Sequence, residues 1–177
     1  MKSTKKMTTL VVGIIIILGV LAFQFINHSG PFQGNSSNSA SGPDQTEKVH
    51  VERVVDGDTL VAKDEKGEQL KVRLIGIDTP ETVKPNTPVQ PYGKEASNYT
   101  KKHLTDKDVF LEFDKEKEDR YGRTLAYVWL DKKTMYNEQM VKNGLAREKY
   151  FAPNGKYREI FQKAERQAKS DKINLWS

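Results

Sequence analysis

The nine residues from Arg73 to Glu81 combine a short apolar run with one guanidinium and two carboxylates. Charges this close to a segment that must be buried are costly unless they meet a metal, a ligand or each other. Leu74, Ile75 and Ile77 read as strand, and Asp78-Thr79-Pro80 ends it, because proline has no N–H and holds its predecessor extended. The acids therefore fall at a strand end. Asp56-Gly57-Asp58 supplies two more. Alone, Asp-Gly is the ordinary hairpin turn, and a calcium loop of the EF-hand type counted from Asp56 fails, since Leu60 and Gly67 occupy positions that need oxygen ligands. Beside Asp78 and Glu81, however, these acids could converge across neighbouring strand ends. Carboxylates without histidine or cysteine suit a hard cation such as Ca²⁺ or Mg²⁺ rather than zinc. The segment Asp119-Arg120-Tyr121-Gly122-Arg123 is either a solvated charged turn or a grip for phosphate and base, with planar bidentate donors beside a stacking ring. With Arg73 added, a phosphodiester is the substrate this chemistry fits, because its transition state gathers negative charge.

Short strands must position these groups. Val49 and Val51 alternate with His50 and Glu52 before Asp56, Thr59 to Lys63 forms the return strand, and Leu70, Val72 and Leu74 form the third, running into Ile77. After a proline-rich loop from Thr82 to Tyr92, helical spacing predicts a helix over Gly93 to Leu104. Strands over Val109 to Phe113 and Thr124 to Leu130 flank a charged stretch read as a solvated loop, and helices are expected over Asn137 to Asn143 and Tyr157 to Lys169. Five strands, three of them consecutive, suit a small closed barrel of the OB type, an α+β arrangement with three helices, better than a parallel sheet. Trp129 and Trp176 read as packing residues.

The ends of the chain set the organisation. Lys2, Lys5 and Lys6 precede a run from Met7 to Ile26 in which only Thr8, Thr9 and Gln24 are polar. Twenty helical residues at about 1.5 Å each match the roughly 30 Å hydrocarbon core, and basic residues on the N-terminal flank alone place that end in the cytoplasm. A cleaved secretory signal is the competing reading, although Ala22-Phe23-Gln24-Phe25 offers no small-x-small site. The expected organisation is a cytoplasmic segment 1–6, a transmembrane anchor 7–26, an extracellular stalk 27–47 rich in Ser, Asn and Gly, and a folded domain 48–177. There is no cysteine, which excludes disulfides, lipid attachment through a thioether and thiolate chemistry. From Asp44 onward 26 cations face 24 acids, so overall charge says little about a nucleic-acid partner.

Val55 through Thr59, Arg73 through Thr82, Tyr92 through Ser97, Asp119 through Tyr127, Gly144-Leu145-Ala146 and Leu175-Trp176-Ser177 together resemble the staphylococcal thermonuclease family, in the same order from about Val49 to the end. With its N-terminal span the chain looks like a membrane-anchored branch. The resemblance implies an OB-fold nuclease that uses Ca²⁺ to hydrolyse DNA and RNA, leaving 3′-phosphate and 5′-hydroxyl ends. A monomer with no obligate protein partner is expected. The resemblance further implies Asp58, Asp78 and the Thr79 carbonyl as metal ligands, with Asp56 supporting through water. Glu81 would be the general base, Arg73 and Arg123 the phosphate-binding pair, and Arg120, Tyr121 and Tyr150 would contact the nucleotide. Around Tyr150 the chain is one residue shorter than the family pattern and lacks its second tyrosine. A binding module of the same fold without catalysis, and a scaffold whose acids hold calcium for stability alone, are the alternatives.

Overall fold

Alternation of apolar and polar side chains builds most of the sheet that the sequence predicts. A computed structural model of the chain describes residues 42–43, 45–82, 88 and 90–177; the expected cytoplasmic segment and transmembrane anchor, and most of the stalk, lie outside them. Among the described residues no helix is long and apolar enough to cross a membrane. Strands β1 (Glu47–Asp56), β2 (Thr59–Asp64) and β3 (Gln69–Leu74) form an antiparallel meander, and β5 (Lys107–Glu112) and β6 (Thr124–Trp129) complete a closed barrel in the order β1-β2-β3-β6-β5. The β3–β6 pairing is parallel, with Val72 opposite Thr124 and Arg73 opposite Leu125. This closure sets Arg123, one residue ahead of β6, next to the strand that carries Arg73. Inside lie Val51, Leu60, Val72, Leu74, Leu111 and Val128, all essentially inaccessible.

The helices α1 (Gly93–Leu104), α2 (Tyr136–Lys142) and α3 (Arg158–Ser170) fall within a residue of expectation. The third strand does not run on to Ile77. Gly76 takes φ +77, a conformation that a side chain resists, and a Cβ there would lie 2.5 Å from the Phe161 ring. Past this break Ile77–Asp78 forms a separate strand, β4, paired antiparallel with β7 (Arg147–Glu148). Between Asp114 and Asp119 the run Lys115 to Glu118 is exposed, as expected of a solvated loop, but the two aspartates at its ends are held. Asp114 accepts hydrogen bonds from the Tyr127 hydroxyl and the Lys156 N–H, both at 2.9 Å, and the Asp119 side chain is largely covered. Trp129 is fully buried, as a packing residue should be, but its Nε1 donates at 2.8 Å to a buried carboxylate, Glu112.

Asn137 at the start of α2 ties the barrel to the break. Its Oδ1 accepts from the Val128 N–H at 2.9 Å, and its Nδ2 donates to the Ile75 carbonyl at 2.8 Å, with the side chain out of solvent. Asn137→Ala leaves one buried donor and one buried acceptor unpaired and should cost about 2–4 kcal/mol, read as a lowered urea midpoint at unchanged slope. An unchanged midpoint would show that both backbone groups find other partners.

Candidate active site

Three turns deliver the charged side chains to one place. The first is Asp56-Gly57-Asp58, held from outside the barrel by α1, where the buried Thr100 hydroxyl donates to the Gly57 carbonyl at 2.7 Å. Asp58 is buried and accepts from the Thr59 hydroxyl at 2.9 Å and the Thr79 N–H at 3.1 Å. The second turn carries Asp78, Thr79 and Glu81. Asp56 fastens it, accepting at 2.6 Å from the Thr82 hydroxyl while also accepting at 2.8 Å from the Gly57 N–H. Gln90 closes the far side, donating its N–H to the Glu81 carbonyl at 3.0 Å and accepting the Glu81 N–H at 3.1 Å. Asp56 therefore positions the segment that bears Glu81.

Arg73 lies between the two turns. Its Nη2 is 3.1 Å from Asp58 and 3.2 Å from Asp78, and its side chain is only 11% exposed. One guanidinium nitrogen thus bridges both carboxylates. Burial pushes the Asp78 carboxyl above its usual range, and Arg73 offsets only part of that. Burial likewise raises Asp56 against the hydrogen bonds from Thr82 and Gly57. The pocket is short of positive charge.

The third turn is Asp119 to Arg123, which the sequence left open between a solvated turn and a phosphate grip. Asp119 accepts from the Tyr121 and Arg123 N–H groups at 2.9 and 3.0 Å, and its other oxygen pairs with the Arg123 guanidinium at 2.7 Å. Gly122 at φ +72 lets the chain close on itself. Burial would raise the Asp119 carboxyl, but these donors together hold it below the usual range. Arg120 donates to the Tyr121 hydroxyl at 2.7 Å and stacks over its ring, which is 68% exposed. An exposed ring flanked by two guanidinium groups is available for stacking.

These turns line one open cleft of about 840 Å³. Asp56, Asp58, Arg73, Asp78, Thr79, Glu81, Arg120, Tyr121 and Arg123 all face it. Tyr150 does not. It stands outside with Arg158 over its ring at 4.4 Å, and the adjacent Phe151, 58% exposed, lines the cleft instead. Two further residues escaped the sequence reading. Lys71 lines the cleft, and since it shares a face of β3 with Arg73, two-residue periodicity could have found it. Asn154 is buried and binds both the N–H and the carbonyl of Glu116, each at 2.9 Å, while its own N–H bonds the Phe151 carbonyl. No local signal marks that contact.

The donor set fits a hard divalent cation. Asp58 and Asp78 present oxygens close enough to share one guanidinium nitrogen, and the buried Thr79 hydroxyl oxygen beside them has no hydrogen-bond partner. Among the described residues no three acidic, histidine or cysteine side chains converge to hold an ion unaided, so water and a ligand would complete its shell.

Residues 71–177 match the profile of the staphylococcal nuclease homologue family. The chain is 54% identical over 173 residues to a thermonuclease of Staphylococcus hyicus, covering 98% of this chain and 99% of the relative. A thermonuclease of Staphylococcus intermedius is also 54% identical, over 97% and 98% of the two chains. Endonuclease YncB of Bacillus subtilis is 40% identical over 85% of this chain and 73% of its own length.

The raised Asp78 carboxyl has a consequence for stability. The folded state holds that proton more tightly than the unfolded chain does, so its contribution is present below the unfolded value near pH 4 and is lost as pH rises through the folded one. In chelator, Asp78→Asn should therefore melt above the parent at pH 7, with the difference vanishing below about pH 4. A lower melting point at pH 7 would mean that the pairing with Arg73 outweighs burial.

Proposed function

Because the chain belongs to the staphylococcal nuclease homologue family and its two arginines share a cleft with an acid cluster, we propose that it is a calcium-dependent phosphodiesterase acting on DNA and RNA. The observation that carries this reading is Arg73 bridging Asp58 and Asp78 at the floor of a cleft also lined by Glu81 and Arg123. A site for storing calcium would not need the guanidinium groups, and a binding surface would not need the acids.

Calcium held by Asp58, Asp78 and the Thr79 carbonyl would supply Lewis-acid polarisation of the phosphoryl oxygens. A phosphate entering the cleft offers Arg73 an alternative to its two carboxylates. Arg123 is held by Asp119 with its charge facing the same space, as a planar donor for the remaining phosphate oxygens. Glu81, fixed at its backbone by Gln90, takes a proton from the attacking water. The water oxygen bonds to phosphorus, the bond from phosphorus to the 5′ oxygen breaks, and that oxygen, met by a hydrogen bond from Arg123, takes a proton from solvent water. The products are a 3′-phosphate and a 5′-hydroxyl. Tyr121, with Arg120 over its ring, and Phe151 both line the cleft and supply faces for the base.

The chain acts as a monomer tethered by residues 7–26, with the domain outside the cell. Three lysines before the apolar run and no charge within it support this topology. Protease added to intact cells should remove the domain; protection from it would contradict the orientation.

Full-length protein in detergent should cleave single-stranded DNA with calcium and stop on addition of EGTA, and the new ends should accept a 5′-phosphate from polynucleotide kinase without prior dephosphorylation. Folded protein that leaves DNA intact under calcium would overturn the reading. Glu81→Gln should lower kcat by about 10²- to 10⁴-fold. Arg123→Ala should lower it by about 10²- to 10³-fold. Parental turnover in either variant would remove that residue from the chemistry.

A further inference from the structure

Strand β3 turns more charge toward the cleft than the proposed chemistry uses. Its residues alternate, with Val72 and Leu74 inside the barrel and Lys71 and Arg73 on the outer face. Arg73 is engaged between Asp58 and Asp78. Lys71 lines the same cleft, is exposed, and takes no part in that arrangement. A lysine on a barrel surface is ordinarily a solvated residue. The neighbours of this one give it more to do.

The register of the sheet fixes those neighbours. On one side β2 sets Val61 opposite Lys71 and Thr59 opposite Arg73, and Thr59 lines the cleft. On the other side the parallel pairing with β6 sets Thr124 opposite Val72 and Leu125 opposite Arg73. Continued back by one residue, that register brings Arg123 level with Lys71. Lys71, Arg73 and Arg123 therefore stand at three corners of a square on one wall of the cleft, and Leu125 is the fourth. Lys71 and Arg73 are about 6.7 Å apart along the strand, at roughly 3.3 Å per residue. That is close to the step between successive phosphates of an extended single strand.

The three cations differ in what already holds them. Arg73 is shared by two carboxylates, and Arg123 pairs with Asp119 at 2.7 Å. Lys71 has no ion pair or side-chain hydrogen bond among the described residues, although Glu116 and Glu118 line the same cleft. A phosphate that reaches Lys71 displaces only water. An ammonium on a flexible stem is a point charge that meets an anion from many directions, which suits a strand backbone better than a fixed reacting group.

We propose that Lys71 holds the phosphate next in the strand to the one being cleaved. This rests on the nuclease reading and deepens it, from one diester in the cleft to a strand laid across β3. The contact is to the backbone, so it carries no base preference. It lies away from the reacting bond, so it lowers KM for a strand without changing kcat.

The test uses full-length protein with calcium and two kinds of substrate: single-stranded DNA 12-mers, and a mononucleoside p-nitrophenyl phosphodiester, which has no second phosphate. Lys71→Ala should raise KM for the 12-mers about fivefold at low salt, equally for oligo-dT and oligo-dA. For the small diester KM should move less than about twofold, and kcat should stay within about twofold on every substrate. Lys71→Arg, which keeps the charge, should restore the parent KM. The slope of log kcat/KM against log salt for the 12-mers should become shallower by about 0.7 in Lys71→Ala, the share of one phosphate contact on a single strand. An unchanged KM for the 12-mers, an equal rise on both kinds of substrate, or a rise confined to one base sequence would overturn the proposal. If the parent protein cleaved neither substrate, the nuclease reading would fall, and fluorescence anisotropy with a labelled 12-mer would decide this contact separately. A Kd weakened by Lys71→Ala would then support it, and an unchanged Kd would overturn it.

Discussion

A single guanidinium shared by two carboxylates is the constraint on which this molecule turns. Arg73 is nearly buried, and so is Asp58, while Asp78 stands half in the cleft. Removing such charges from water costs several kcal/mol per ion unless each keeps a partner of opposite sign. Arg73 and the more distant Lys149 offset only part of this, and burial leaves Asp78 harder to ionise than a free aspartate. The site is therefore built to accept further positive charge, and a cation that took over the carboxylates would leave Arg73 to an anion. Metal and phosphate would then favour each other at one place.

Much of the remaining structure keeps that arrangement from collapsing. The parallel β3–β6 pairing sets Arg123 beside Arg73, and Asp119 gathers its own turn so that the second guanidinium has a fixed direction. Thr100 holds the Asp56–Asp58 turn from α1, and Asp56 holds the Glu81 segment. On the opposite side a buried Glu112 accepts from Trp129 at 2.8 Å, Lys156 at 2.6 Å and Tyr157 at 3.0 Å. Burial, then the contact with Glu112, pushes the Tyr157 hydroxyl up to about 12. This network fastens the start of α3 to the barrel, and with Asn154 it fixes the loop that presents Phe151 and Tyr150. Rigid support of this kind is what a preorganised site needs.

Much of this was legible in the sequence, for a physical reason. The groups from Arg73 to Glu81 and from Asp119 to Arg123 are specified by local rules: alternation in a strand, proline at its end, glycine where φ is positive. The five barrel strands and three helices follow from the same short-range patterns. What escaped depends on partners distant in the chain. The β4–β7 pair involves two residues on each side, too few for any periodicity. Glu112 looks like an ordinary charged residue until Lys156 and Tyr157 fold over it. Tyr150 carries the residue type expected of a nucleotide pocket, but the neighbouring Phe151 takes the cleft, and no local pattern distinguishes the two. The terminal apolar run is as plain in the sequence as any of these features, and its reading as an anchor rests on composition alone.

Coupling between cation and phosphate tests the central claim most directly. Calorimetric titration of calcium into the full-length protein, alone and saturated with a nucleoside 3′,5′-bisphosphate, measures it as a ratio of dissociation constants. If Arg73 passes from the carboxylates to the phosphate when calcium arrives, the bisphosphate tightens calcium binding by about tenfold or more, and calcium tightens bisphosphate binding by the same factor. In Arg73→Lys, which keeps the charge but loses the planar fork, that factor shrinks. Equal calcium affinity with and without the bisphosphate would contradict a site in which the two ligands share Arg73.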